Sequence, residues 1–322
     1  MEARRKKIEM KKYQDTSNMT QEIKNSRTKK MSMQICILLT AFCLLFTACE
    51  KNISIDIPAP SEKLVVESFI ETGTGQFDKP YILLLTKNSA YYSTFNLDDI
   101  NTYFVHNAIV KVSDGTDTIT LTEITIDTAG VEISAYVGFG LIVQEGKTYS
   151  LHIEADGKTV DAITTIPQSI PLDSIWATYD ELVDYPDKVR VNCRLNDPEK
   201  IGEYVRYFTK INSENFLPGL NSVFDDALIN GTVFDFPIDR GYNRNDSIDF
   251  DVYGLFDKGD TVTIKWSNID KNHFDFWRTF EFSLGSQGNP FASPIEIKSN
   301  IVGGIGIWGG YSPSYLTMVI PE

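Results

Sequence analysis

The chain has 322 residues, 42% of them hydrophobic and 23% charged, values of an ordinary globular protein that exclude wholesale disorder. Its formal net charge of −14 hides an asymmetry: residues 1–48 carry 10 Lys/Arg and 4 Asp/Glu, which leaves 20 basic and 40 acidic residues downstream. A body that acidic repels phosphate backbones, and no Lys/Arg cluster in it has the density of a nucleic-acid footprint, so no nucleic-acid partner is expected.

Residues 35–48 (ICILLTAFCLLFTA) form 14 uncharged positions, preceded by Lys29 and Lys30 and closed by Ala48 ahead of Cys49. A charged start, an apolar stretch and a small-residue end make an export leader. A spanning helix needs about 20 apolar residues, and Glu50 and Lys51 stop this one short. Phe46-Thr47-Ala48-Cys49 resembles a lipobox, which implies cleavage between Ala48 and Cys49 and acylation of the Cys49 thiol. One acyl chain anchors only marginally and two or more hold stably. Residues 1–48 are therefore expected to be a lipoprotein signal peptide with an extended N-region. Residues 49–62, polar and carrying Pro58 and Pro60, read as a lipidated tether. With Cys36, Cys43 and Cys49 assigned to this end, Cys193 is alone in the body, and neither a disulfide framework nor a cysteine zinc site can form there.

Strand signals begin directly after the tether. Leu64–Ile70, Tyr81–Thr86, Ala108–Ser113, Ile119–Glu123, Val131–Val137, Thr148–Ala155 and Thr159–Ile166 are short, rich in β-branched or aromatic residues, and punctuated by Asp114-Gly115, Glu145-Gly146 and Asp156-Gly157. About seven such strands in about 105 residues predict an immunoglobulin-like or transthyretin-like β-sandwich over 63–167. Alternation places His152 on its wetter face. The connection Lys87–Asn107 is about 20 residues long and holds Tyr91, Tyr92, Phe95, Tyr103 and Phe104. Long loops in compact domains are functional or disordered, and aromatic content argues against disorder, so these five residues form a candidate ligand or partner loop. The alternative is a flap over the sandwich edge.

Pro167 and Pro171 break the ladder, and 168–322 is expected to be a second β-rich domain. Its predicted strands are Ser174–Tyr179, Val189–Leu195 with Cys193 facing the core, Tyr204–Ile211, Ser247–Tyr253 and Thr261–Ser267, with a long Asp- and Asn-rich connection from Asn212 to Asp246. Ile269, His273, Phe276, Trp277, Phe280 and Leu284 recur at spacings of three and four, which predicts a helix over 270–284, capped by Asn268 or Asp270 and ended by Gly285. His273 falls on the apolar stripe as a packed core residue. Gly285–Tyr311, with five glycines from Gly303 to Gly310, reads as a strongly bent terminal strand packed on that helix.

Gly304-Ile305-Gly306-Ile307-Trp308-Gly309 has the letters of a dinucleotide fingerprint but not its context, since Pro313 follows where a helix is required. Gly146-Lys147-Thr148 has the wrong glycine spacing for a phosphate loop. His106, His152 and His273 sit on three separate elements, and Asp246, Asp249 and Asp251 lack the glycine and terminal Glu of a calcium loop, so no metal, cofactor or histidine-based triad is expected. Paired carboxylates suffice for glycoside hydrolysis, but 40 acidic residues always contain close pairs.

Together, the lipobox at Cys49, Leu64-Val65-Val66-Glu67, Pro80-Tyr81, Asp173-Ser174-Ile175, Phe276-Trp277, Asn289-Pro290-Phe291, Ser299-Asn300-Ile301, Gly303-Gly304 and Trp308-Gly309-Gly310-Tyr311 resemble the domain-of-unknown-function 4249 family of envelope lipoproteins in Bacteroidota. The resemblance covers nearly the whole mature chain and is most specific at its C-terminal stretch. It implies an outer-membrane lipid-anchored protein encoded beside a TonB-dependent receptor and accessory to it in nutrient or signal uptake. It carries over no catalytic residue. Asp117-Thr118-Ile119 and Asp173-Ser174-Ile175, among others, also resemble O-glycosylation sites of those bacteria. The expected function is a non-catalytic binding module. A structural or adhesive surface protein is the alternative, and a carboxylate-based hydrolase stands behind both.

Overall fold

The computed structural model describes residues 61–322, apart from 75, 77, 78, 90–96, 129, 130, 180–184, 287–290, 292 and 294, together with 19, 24, 26, 27 and 29–38. Ala48, Cys49, Tyr91, Tyr92 and Phe95 lie outside the described residues. Residues 29–38 are helical with exposed side chains, and no described helix is long and apolar enough to cross a membrane. Residues 59–322 form one compact unit.

The seven strands expected first are all present: β1 Leu64–Glu71, β2 Tyr81–Lys87, β3 Ile109–Ser113, β4 Thr118–Thr128, β5 Val131–Gly138, β6 Thr148–Ala155 and β7 Lys158–Thr165. Alternation makes them, because every second side chain turns inward, as Leu64, Val66 and Ile70 do on β1. Asp156 and Gly157, with φ of 51° and 70°, supply the left-handed pair that a tight β6–β7 hairpin requires. β4 is the strand that folds the sheet over. Thr118–Leu121 pair with β3, while Thr122–Thr128 pair with β5. The two layers are thus β1-β2-β5 and β3-β6-β7, joined through β4. Between them lie Val66, Leu83, Leu85, Val110, Tyr136, Leu151, Val160 and Trp308.

The second half of the chain adds β8 Ser174–Thr178, β9 Lys188–Asn196, β10 Tyr204–Ile211, β11 Leu217–Asp225, β12 Val233–Ile238, β13 Phe256–Asp257, β14 Thr261–Ile269, helix α1 Lys271–Gly285 and β15 Ile305–Val319. β12, β8 and β13 all pair with β9 and pack against β10 and β14 over a core containing Val191, Cys193, Tyr207, Ile264 and Trp266. Helix α1 begins where Asp270 accepts a hydrogen bond from the His273 amide at 2.9 Å, a side-chain cap on an otherwise orphaned donor.

Three sequence expectations need correction. Ser247–Tyr253 is not a strand: its Asp249 carboxylate accepts the Asp251 amide at 3.1 Å, and a local bond of that kind competes with a ladder. The Asn212–Asp246 segment is not a plain connection either, since it holds β11 and β12. The terminal strand also begins later than expected, at Ile305, and runs on through Pro313 to Val319.

The break at Ile166–Pro171 separates the two buried clusters but not the sheet. Eleven strands run in the order β11-β10-β14-β15-β1-β2-β5-β4-β3-β6-β7. β15 is the splice. Ile305–Tyr311 lie parallel to β1, the one parallel pairing among the described strands, and Tyr311–Val319 lie antiparallel to β14. Its glycines are where neighbours come too close for a side chain: the His273 ring occupies the place of a Cβ on Gly309, and Ile166 crowds the corresponding place on Gly310. Gly306, at φ 115°, lies on the Val66 backbone in a conformation other residues rarely adopt.

Replacing Gly309 by Ala overpacks this contact and is expected to cost about 1–3 kcal/mol in chemical denaturation. Adding His273→Ala to that variant should return part of the loss, because the two side chains compete for one volume.

Candidate functional site

Alternation along β10 sends Arg206 and Phe208 to the face beneath α1, and Val205 and Tyr207 to the opposite core. Arg206 is only 5% exposed. Its Nη1 donates to the Tyr311 hydroxyl at 2.9 Å and its Nε to Ser222 Oγ at 3.1 Å, while its guanidinium lies 3.4 Å from the centre of the Trp277 ring. Desolvated cation–aromatic contacts of this kind contribute about 2 kcal/mol or more. The opposing charge is Glu281, which accepts from the Ser222 hydroxyl at 2.5 Å and amide at 2.8 Å and faces Arg244 at 3.3 Å. Burial pushes the Glu281 carboxyl up, against the Ser222 bonds and the two guanidinium charges. Burial, with Arg206 nearby, likewise holds His273 neutral, its affinity for a proton well below the usual histidine range. This chain of groups pins α1 to β10, β11 and β15, with Arg206 and Glu281 joined through the Ser222 hydroxyl.

On the other side of β11 the two sheet edges leave a groove of about 690 Å³ between β10–β11–β14, β12 and the outer flank of α1. Its floor is aromatic. Phe234 stacks on Phe236 at 5.6 Å, Phe236 meets Trp266 at 5.6 Å, and Phe224 lies nearly parallel to Trp266 at 6.4 Å. Phe224, Phe234 and Phe282 are all exposed, and Leu228 at the mouth is 97% exposed. The rim is acidic: Asp197, Glu203, Asp225 and Asp226 line it against a single arginine, Arg278, while Glu281, also on the wall, is held by Ser222 and Arg244.

Two of these carboxyls act as a unit. Burial first, and then hydrogen bonding to Asp226 and the charges of Asp226 and Asp197, push Glu203 up to about 7, with Lys200 opposing. Asp226 stays below the ordinary range despite its burial, because it accepts from Glu203 and from the Gly202 amide at 2.8 Å. As a carboxylate, Glu203 leaves a buried Oε2 without a donor; protonated, it donates to Asp226. Trp266, 3% exposed, likewise has a buried Nε1 with no acceptor among the described residues.

A second surface lies on the first sandwich. The outward residues of β1, β2, β5 and β4 are largely apolar, and Phe69, Ile82, Ile133, Ile124 and Ile126 are exposed. Ladder register sets them side by side, Ile133 opposite Ile126 and Ala135 opposite Ile124, with Ile82 opposite Val137.

Of the loop residues singled out from sequence, Tyr103 closes a 3₁₀ helix, Leu97–Tyr103, and Phe104 bridges Thr86 on β2; both are partly buried. The described end of that loop therefore packs against the last residues of β2. His152 is exposed between Asp161 and Glu154, and His106 is exposed against Glu123. Among the described residues, no group of three or more His, Cys, Asp or Glu could hold a metal ion. Sequence reasoning did not single out any residue of the groove.

A family model, described as a domain of unknown function (DUF4249), matches residues 50–316. The chain belongs to the DUF4249 family. No curated protein matches it. The DUF4249 match opens directly after Cys49 and closes within β15, so the groove, the apolar sheet face and the first core lie inside it, and of the second core only Met318 and Ile320 fall beyond it.

The shifted Glu203 carboxyl gives a pH signature. Between its ordinary value of 4.5 and about 7 the folded DUF4249 chain keeps a proton that the unfolded chain has released, so this group's contribution to stability is lost as pH rises through that window. Glu203→Gln keeps a donor toward Asp226 and removes the titration. Melting temperatures from pH 4 to 8 should fall less steeply in the variant, which ends the more stable of the two at the upper limit.

Proposed function

We propose that this DUF4249 chain is a non-catalytic lipoprotein of the cell envelope, cut between Ala48 and Cys49, acylated at Cys49 and held at the outer membrane. There its β body docks a TonB-dependent receptor and serves it in nutrient or signal uptake. Support for the address comes from the leader and lipobox. Support for docking comes from one observation above all, the exposed apolar face that carries Ile82, Ile124, Ile126 and Ile133. An uncovered patch of this kind marks an interaction surface, and its burial releases about 25 cal/mol per Å² of apolar area. The partner is a receptor because a lipid-tethered module shares its membrane with one.

Mass spectrometry of the mature protein should find an acylated N-terminal Cys49, and Cys49→Ser should move the chain from the membrane to the soluble fraction. Affinity purification from detergent extracts should recover a TonB-dependent receptor. The double variant Ile82→Glu/Ile124→Glu, changed only at exposed positions, should keep its melting temperature and reduce that recovery by about tenfold or more. Undiminished recovery removes the sheet face from the docking role, and an unacylated residue 49 removes the anchor.

A further inference from the structure

The groove beside α1 differs from the sheet face in chemistry as well as place. An aromatic floor wants an apolar body, and four carboxyls, Asp197, Glu203, Asp225 and Asp226, against one arginine want a positive charge. Its walls also carry polar atoms that the protein does not satisfy. Ionised Glu203 presents a buried Oε2 without a donor, and its neighbour Asp226 already holds charge. An anion placed here meets the charge of Asp226, offset only by the Trp266 Nε1 donor and by Arg278, which already lies over the Phe274 ring at 5.6 Å. A neutral apolar molecule fills the floor but leaves Glu203 as it was.

From these observations we infer that the groove is a binding site for a small organic cation, a protonated primary amine carried on an aromatic or aliphatic body. The body lies over Phe234, Phe236 and Phe224, where stacked and edge-on contacts with rings are available. The ammonium points to Glu203 and Asp226 and supplies the missing donor as a charge-assisted hydrogen bond. The Glu203 proton then leaves to solvent as the ligand's charge takes its place. Phe282, exposed on α1, forms the outer lip. The site is independent of anchoring and of the receptor, since its residues lie on β9 to β12, β14, α1 and the turns between them rather than on the β1-β2-β5-β4 face.

Isothermal titration calorimetry of the full chain at pH 7 with phenylbutylamine, phenylbutanol and phenylbutyrate tests this, because the three probes share one body and differ in head charge. The amine should bind at least about tenfold more tightly than the alcohol, and the carboxylate most weakly. Glu203→Gln should bring the amine down to the level of the alcohol, and Phe282→Ala should weaken all three. Phe282 is exposed, so that variant keeps the test open if the Glu203 variant fails to fold. Equal binding of the three probes overturns the inference, as does binding of none, or amine binding that neither substitution alters. The Ile82→Glu/Ile124→Glu variant should bind the amine normally, which separates failure here from failure of receptor docking.

Discussion

The structure depends on one strand being shared by two cores. Tyr311 pairs with Glu71 on one side and with Ile269 on the other, so the strand that completes the first sandwich passes from β1 to β14 at a single residue. Trp308, fully buried, belongs to the first core, and Ile320, just beyond the strand, to the second. The first half of β15 has β1 along one edge and packing on both faces, His273 against Gly309 and Ile166 against Gly310, and this is why small residues crowd it. The glycines are the volume that α1 and Ile166 occupy.

Charge is sorted by the same geometry. On the face under α1, Arg206 and Arg244 are balanced by Glu281, and Lys265 is paired with Glu71. Such groups fix the helix to the sheet. Around the edge of β11 the balance changes, and carboxyls accumulate beside open aromatic rings. The acidic rim serves stability only while Glu203 keeps its proton, because Glu203 and Asp226 repel once both are ionised. Perturbed acids in a cleft are a physical mark of sites that meet a ligand.

Much of the fold was legible in the sequence because period-two patterning survives wherever one face is wet, as on β1, β6 and β7. β11 and β12 were hidden by their own residues. Leu217-Pro218-Gly219 and Phe234-Asp235-Phe236-Pro237 look like loop, yet Gly219 is required beneath the Tyr207 hydroxyl, and Pro237 sits on an edge strand where a missing donor costs little. The alternation of Phe234 and Phe236 was the available signal. Ser247–Tyr253 erred the other way: Ile248, Phe250 and Val252 alternate as in a strand, but Phe250 is exposed and short-range carboxylate bonds turn the backbone. The groove could not be read from sequence, since Leu195, Phe224, Phe234, Trp266 and Phe282 come from five elements and meet only after folding.

The parallel pairing of β1 with β15 has a kinetic meaning. Val65 meets Ile305 and Glu71 meets Tyr311, contacts about as distant along the chain as this body allows. Loop closure of that span precedes any reward from the pairing, so such topologies assemble slowly and late. During synthesis the opening strand waits with one edge unpaired and the pocket for Trp308 vacant until the final segment arrives. Under the export proposed above, this delay suits threading through a pore, since compaction of the first sandwich waits for its last strand.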